Sequence, residues 1–176
     1  MKAIRYKQRI CEDKEKIDKF MKSMRTGTLA MISEGVPYAV PLNYIWLDGA
    51  VYFHGLTSGR RQEALSSSPQ CCFTVYREYG TVKDDMPCHA DTAYFSVILF
   101  GKVTLLEDNK EKAFILKQLV EKYMPGYYKT RFTEDFIKNY KSDHDGHAVQ
   151  VHKLTIDVLT AKRNCADPKF LFAPMS

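Results

Sequence analysis

Apolar residues first recur at helical spacing, with Ile17, Phe20, Met21 and Met24 at i, i+3, i+4 and i+7, which predicts an amphipathic helix over 12–25. Acidic residues near its start and Lys22 and Arg25 near its end suit the helix dipole. Gly27 reads as the stop. The period then changes. A strand is predicted over 28–32, Ser33-Glu34-Gly35 as a tight turn, and a second strand over 38–47. Asp48-Gly49 is a two-residue hairpin signal into a third strand at 50–53. A short helix carrying Arg60 and Arg61 ends at Ser66-Ser67-Ser68-Pro69, and a fourth strand follows at 70–76. The segment 80–91 has no periodicity and reads as a loop, and 92–106 as a long strand bulged near Gly101. Asp108 and Glu111 form a capping box for a helix burying Phe114, Leu116, Leu119, Val120 and Tyr123 and ending at Pro125-Gly126. A short helix over 133–140 and a last strand over 148–159 complete the pattern.

Six strands joined largely by hairpins, with helices between and after them, imply a mainly β (α+β) protein: a six-stranded antiparallel barrel with peripheral helices. At 176 residues, with no repeat and no linker-like stretch, a single domain over 1–176 is expected. Composition narrows the class. The net charge of +5 is spread without any basic block, so nucleic acid is not an expected partner. The Lys2, Arg5, Lys7, Arg9 cluster reads as a solvated arm. No apolar run is long enough to span a membrane. Five cysteines, an odd number with no C-x-x-C pair and no secretory signal ahead of them, suggest reduced thiols in a cytoplasm.

The stretch 51–65 is where the chemistry concentrates. An apolar strand breaks at His54-Gly55, a hydroxyl-rich turn (Thr57, Ser58, Gly59) follows, and a helix opens on Arg60-Arg61. Arginine is poorly placed at a helix start, because the dipole repels cations there. An anion held by free backbone N–H groups, hydroxyls and two guanidinium groups removes the difficulty, and phosphate fits best. His54 alone could be a structural histidine. Beside the phosphate turn it becomes a candidate for ligand contact and proton transfer. Asn43, in an apolar strand, needs its amide satisfied by backbone or ligand. Cys88-His89 and His144-x-x-His147 share no ligand spacing, so no metal is expected.

Taken in order, Val40-Pro-Leu-Asn-Tyr44, Tyr52-Phe-His-Gly55, Ser58-Gly-Arg-Arg61, Ala64-Leu65, Cys71-Cys-Phe-Thr-Val75, 96–103 and 154–163 resemble the pyridoxamine 5′-phosphate oxidase-like FMN-binding split barrels. Within these, the likeness is greatest to the nitroimidazole-resistance branch. The resemblance covers roughly residues 20–163. It implies a homodimer with FMN at the subunit interface. Pro41, Leu42, Asn43 and Tyr44 would run beside the flavin ring, their main chain bonding its edge. His54 and Gly55 would lie near ring and ribityl chain, Ser58, Gly59, Arg60 and Arg61 would take the phosphate, and Ser96 would approach from a neighbouring strand. Two departures stand out. Gly59-Arg60-Arg61 replaces the lysine-containing turn common in the family, and the C-terminal substrate-binding Arg and His of pyridoxamine phosphate oxidase itself have no counterpart, which argues against vitamin B6 oxidation.

The function implied is an FMN-dependent oxidoreductase acting on a small nitro-aromatic or quinone-like acceptor, with His54 as its catalytic candidate. No nicotinamide-binding G-x-G-x-x-G follows a strand, so any NAD(P)H would dock transiently on the flavin. The alternatives are a flavin-binding module or redox sensor without turnover, and a related barrel binding haem or a deazaflavin.

Overall fold

The computed structural model describes residues 5–129, 131–143 and 146–173; Lys2 and His144 lie outside them. Seven strands form one sheet: β1 (Thr26–Ser33), β2 (Val36–Asn43), β3 (Ile45–Leu47), β4 (Ala50–Gly55), β5 (Gln70–Val82), β6 (Asp91–Leu105) and β7 (Gln150–Asn164). Their order is β2-β1-β5-β6-β7-β4-β3, with every neighbouring pair antiparallel. Four α-helices accompany them: α1 (Lys14–Ser23), α2 (Arg60–Ser67), α3 (Asn109–Tyr123) and α4 (Glu134–Asn139).

The count of seven corrects the expected six, because the segment 38–47 is two strands broken at Tyr44. β2 pairs with β1 at one edge of the sheet and β3 pairs with β4 at the other. A chain can pass from one edge to the other within a single residue only if the sheet has rolled up on itself. Tyr44 is therefore the seam of a split barrel.

Tyr44 belongs to neither ladder, so its peptide groups need partners elsewhere. Its N–H donates to the Tyr123 hydroxyl at 2.8 Å, and its carbonyl accepts from Lys122 Nζ at 3.0 Å. The Tyr123 hydroxyl also meets the Arg25 carbonyl, just past α1. The Tyr44 ring is fully buried, edge-on to Phe73 at 5.1 Å, and its hydroxyl donates to the Met21 carbonyl at 2.8 Å. The ends of α1 and α3 are thus stitched across the seam.

Two cores result. Inside the barrel, Leu29, Met31, Val51, Phe53, Phe73, Val75, Val97, Leu99 and Leu154 pack together, with Ile17, Phe20 and Met21 of α1 closing one end. Outside it, Ile45, Ala50, Tyr52 and Val151 pack against Leu116 and Leu119 of α3 and Ile137 of α4. β4 therefore buries both faces: Val51 and Phe53 point inward, Ala50 and Tyr52 outward toward the helices. Local chemistry agrees at the caps. Asp13, Asp108 and Thr133 side chains accept from the N–H groups of Lys16, Glu111 and Phe136. Both expected hairpin turns carry positive φ at their paired central residues, Glu34-Gly35 and Asp48-Gly49, as type I′ geometry demands.

Other expectations shift. Gly27 does not stop α1. It lies in β1, where an added Cβ would sit 2.3 Å from Phe73 Cζ, so it makes room for that ring. The bulge near Gly101 is present at Phe100/Gly101, and a Cβ there would come within 2.0 Å of the Thr155 carbonyl oxygen. Phe114 is half exposed while Ala113 and Ile115 are buried, so α3 presents a face rotated from the one read off its spacing. The loop expected over 80–91 shrinks to 83–90 as β5 and β6 extend. The basic N-terminal stretch is not a free arm throughout: Arg9 pairs with Asp91, and the Cys11 N–H donates to the Ala161 carbonyl at 2.9 Å.

Replacing Tyr123 by Phe removes the acceptor for the Tyr44 N–H and should lower the unfolding free energy by about 1–3 kcal/mol in urea titration. A change within error would mean that the seam is held by packing alone.

Candidate functional site

At Gly55 strand β4 ends, and 56–59 carry the chain into α2. Gly59, with φ of 101°, is the N-cap residue, and no side chain caps the helix. The first N–H groups of α2 are therefore unpaired by any capping side chain and point toward the turn. Both arginines stand on this first turn. Arg60 Nε donates to Ser33 Oγ at 3.0 Å, and its guanidinium lies 4.3 Å over the Tyr38 ring, tying α2 to the β1–β2 hairpin. Arg61 folds back across β4. A Cβ on Gly55 would fall 1.6 Å from Arg61 Nη2, and Arg61 Cζ stands 5.8 Å from the Phe53 ring centre. Neither arginine forms an ion pair with a carboxylate among the described residues. Burial holds the Arg61 guanidinium below its ordinary pKa, and nearby Tyr38 opposes that shift.

Beneath Arg61 lies a polar floor that the sequence pattern does not reveal. His152 of β7 pairs with Phe53, and Gln150 with Gly55, so both stand beside the cradle. The His152 ring is 2% exposed and stacks on Phe53 at 5.0 Å and 6°. Its Nε2 lies 3.0 Å from Gln62 Oε1, whereas its Nδ1, Gln150 Oε1 and Arg61 Nε are enclosed without partners among the described residues. Burial, then the charge of Arg61, then His54 push the His152 imidazole down to about 4. A lone histidine in an alternating strand carries no local signal separating it from a core position.

His54 faces the other way, on the side of β4 that carries Ala50 and Tyr52 toward α3. It borders two adjoining cavities of about 410 and 380 Å³, which share His54, Tyr140 and Val149. The larger is walled by Leu116, Leu119 and Val120 of α3 and by Tyr128, Phe132 and Phe136. This apolar setting, followed by the Arg61 charge, lowers the imidazole's pKa and favours its neutral form. Neither ring nitrogen has a hydrogen-bond partner among the described residues. Leu56 and Ser142 border the smaller cavity.

The remaining candidates divide. Pro41, Leu42 and Asn43 lie on edge strand β2, opposite Thr28, Gly27 and Thr26, on the hairpin that Arg60 touches. Prolines at 37 and 41 fit an edge, where a missing N–H breaks no ladder. Leu42 leans into the barrel core, while Asn43 is exposed, so its amide needs no protein partner. Tyr44 is committed to the seam through side chain and backbone alike. Ser58 and Gly59 are exposed on the turn. Ser96 is not brought to this group: it pairs with Lys162 on β7, eleven residues beyond Val151, the partner of His54. At about 3.3 Å per residue that is on the order of 30 Å along the strand. Among the described residues, no three His, Cys, Asp or Glu side chains cluster as metal ligands. Nor, among those residues, is any helix long and apolar enough to cross a membrane.

The fold and this strand–turn–helix cradle match a known class. The family model described as pyridoxamine 5′-phosphate oxidase matches residues 13–163, and the chain belongs to that family. Solved structures share the fold. The flavocytochrome Anf3 from Azotobacter vinelandii aligns with a TM-score of 0.76 at 23% identity, over 95% of this chain and 76% of that one. A proposed 5-nitroimidazole antibiotic resistance protein from Bacteroides thetaiotaomicron aligns at 0.65 and 26%, over 87% and 85%. The FAD and haem binding protein from Mycobacterium smegmatis aligns at 0.71 and 19%, over 88% and 73%. A search of curated proteins gives no match. What these structures share with this chain is the fold.

The buried imidazole has a consequence for stability. His152 has a folded pKa of about 4, below the roughly 6.5 of an unfolded histidine. Between those values the unfolded chain binds a proton that the folded one refuses. The stabilisation is therefore complete above about pH 6.5 and drains away as pH falls toward 4. Urea unfolding of the wild type should lose about 2 kcal/mol between about pH 7 and pH 5 that the His152→Phe variant does not lose. Identical slopes would show that the imidazole titrates as if in water.

Proposed function

We propose that this chain is an FMN-binding flavoprotein oxidoreductase in which Arg60, Arg61, Ser58 and the uncapped start of α2 grip the flavin phosphate. The observation that carries this is a pair of adjacent guanidinium groups on a helix start with no carboxylate among the described residues to neutralise them. Such an arrangement is unfavourable until an anion arrives. The enclosed, unpartnered Arg61 Nε fits the same reading. A bound flavin would supply the redox chemistry, taking up and passing on electrons. The protein's part is anchoring and shaping. The free edge of β2 at Pro41–Asn43 offers backbone groups to a ring edge, and Gly55 lets ligand and guanidinium approach the strand.

The cavity beside His54 is walled by aromatic and aliphatic side chains and suits a flat apolar acceptor, nitro-aromatic or quinone-like. A neutral His54 at its border can exchange a proton with such an acceptor near neutral pH. Five free thiols accord with a reducing compartment such as the cytoplasm.

A second copy of the chain completes the site in this reading. The outer face of the sheet carries two uncharged cross-strand rows, Ala30–Cys72–Phe100–Val158 and Thr28–Thr74–Ile98–Thr160. An uncharged sheet face is suited to burial in a homodimer. Ser96 borders these rows and would reach a flavin only across such an interface.

Denaturing the purified protein should release FMN, with absorption near about 450 nm before release. A dominant band near about 400 nm would instead make it a haem protein, the possibility raised by the flavocytochrome and the FAD and haem binding protein. Replacing Arg60 and Arg61 together by Ala should weaken FMN binding by about 2–5 kcal/mol and leave riboflavin almost unaffected. Equal losses would move the phosphate elsewhere. Flavin reduction by NAD(P)H with acceptor-dependent reoxidation separates the enzyme from a binding module.

A further inference from the structure

We infer that Gly55, Gln62 and His152 are positioning residues that lock the Arg61 guanidinium into one pose for a phosphate, an inference that rests on the flavin reading above. The guanidinium lies against β4 where the strand has no side chain. A Cβ on Gly55 would stand 1.6 Å from Nη2 and 2.8 Å from Cζ, so any other residue at 55 expels the group from its slot. Gly55 has ordinary extended backbone, outside the positive-φ positions, so its glycine answers to space and not to conformation. The Phe53 ring forms the wall of the slot at 5.8 Å, and the His152 imidazole stacks on that ring.

Gln62 follows Arg61 on α2, and its Oε1 lies 3.0 Å from His152 Nε2. A carbonyl oxygen only accepts, so Nε2 carries the proton and Nδ1 presents a lone pair. This bond ties the first turn of α2 to β7, while burial and the charge of Arg61 keep the imidazole neutral beside the guanidinium. A leucine or phenylalanine at 152 would fill the barrel without this bond. The slot encloses Nε with no partner, and the two terminal nitrogens have none among the described residues. One unpaired N–H is thus left inside, and both terminal nitrogens stay free to donate to an anion. Lysine, with a point charge on a flexible stem, could not be held this way.

The test is the affinity of purified wild type, Gly55→Ala, His152→Phe, His152→Gln and Arg61→Lys for FMN and for riboflavin, read by flavin fluorescence. Each variant is also made in an Arg61→Ala background, with folding checked by circular dichroism. In Gly55→Ala and at least one His152 variant, FMN affinity should fall about tenfold with riboflavin changing less than about twofold, and the effect should vanish when Arg61 is Ala. Arg61→Lys should behave like Gly55→Ala. An equal loss for both ligands, or a loss that persists without Arg61, overturns the inference. Wild type that fails to prefer FMN over riboflavin sinks the phosphate reading and this inference together. A wild-type preference left intact by Gly55→Ala sinks this inference alone.

Discussion

One residue sets the architecture. Tyr44 must carry the chain from edge strand β2 to the opposite edge strand β3, and both of its peptide groups would be unpaired and enclosed in doing so. The hydroxyl of Tyr123 and the ammonium of Lys122 supply the missing partners. Burial, with Arg25 nearby, lowers the Lys122 pKa to about 8, so this bond is at full strength only while the ammonium keeps its proton. Because those partners sit at the end of α3, the barrel's closure and the docking of that helix are one event. Everything that lines the outer cavity depends on where α3 is held.

The same constraint makes β4 two-faced. Its outward residues, Ala50, Tyr52 and His54, answer to α3 and α4, while Phe53 and Gly55 answer to Arg61 and His152. A single six-residue strand thereby separates an anion cradle from an apolar chamber by the thickness of a backbone. Neighbouring side chains on one strand can then serve different chemistry without competing for the same space, since alternate residues point to opposite faces.

Much of this was legible beforehand because it is local. The Asp48-Gly49 turn, the Asp13 and Asp108 caps, the Gly101 bulge and the Ser58–Arg61 turn each announce themselves within a few residues, through φ preference, capping chemistry or charge at a helix start. What stayed hidden depends on distant partners. Nothing within 38–47 shows that Tyr44 changes sheet edges, since its partners lie about eighty residues away at Tyr123 and Lys122. Gly27 looks like a helix stop until Phe73 is placed over it. Gln62 and His152 are unremarkable singly, and only the register of β4 with β7 sets His152 below Arg61. Asn43 was read as needing satisfaction because its strand looked apolar, yet it sits on an edge facing water.

The far end of the β5–β6 hairpin raises a different matter. β1 covers β5 only opposite 72–74, so the distal stretch of that strand would otherwise offer bare peptide groups to any passing strand. The chain's own tail occupies part of that gap: Phe172 N–H donates to the Thr81 carbonyl and Lys83 N–H to the Phe170 carbonyl, with Leu171 bridging Val82. Trimming a few residues from this tail would leave every residue of the cradle in place and still uncover a template for edge-to-edge stacking. In this way a segment outside the cradle shields a strand edge.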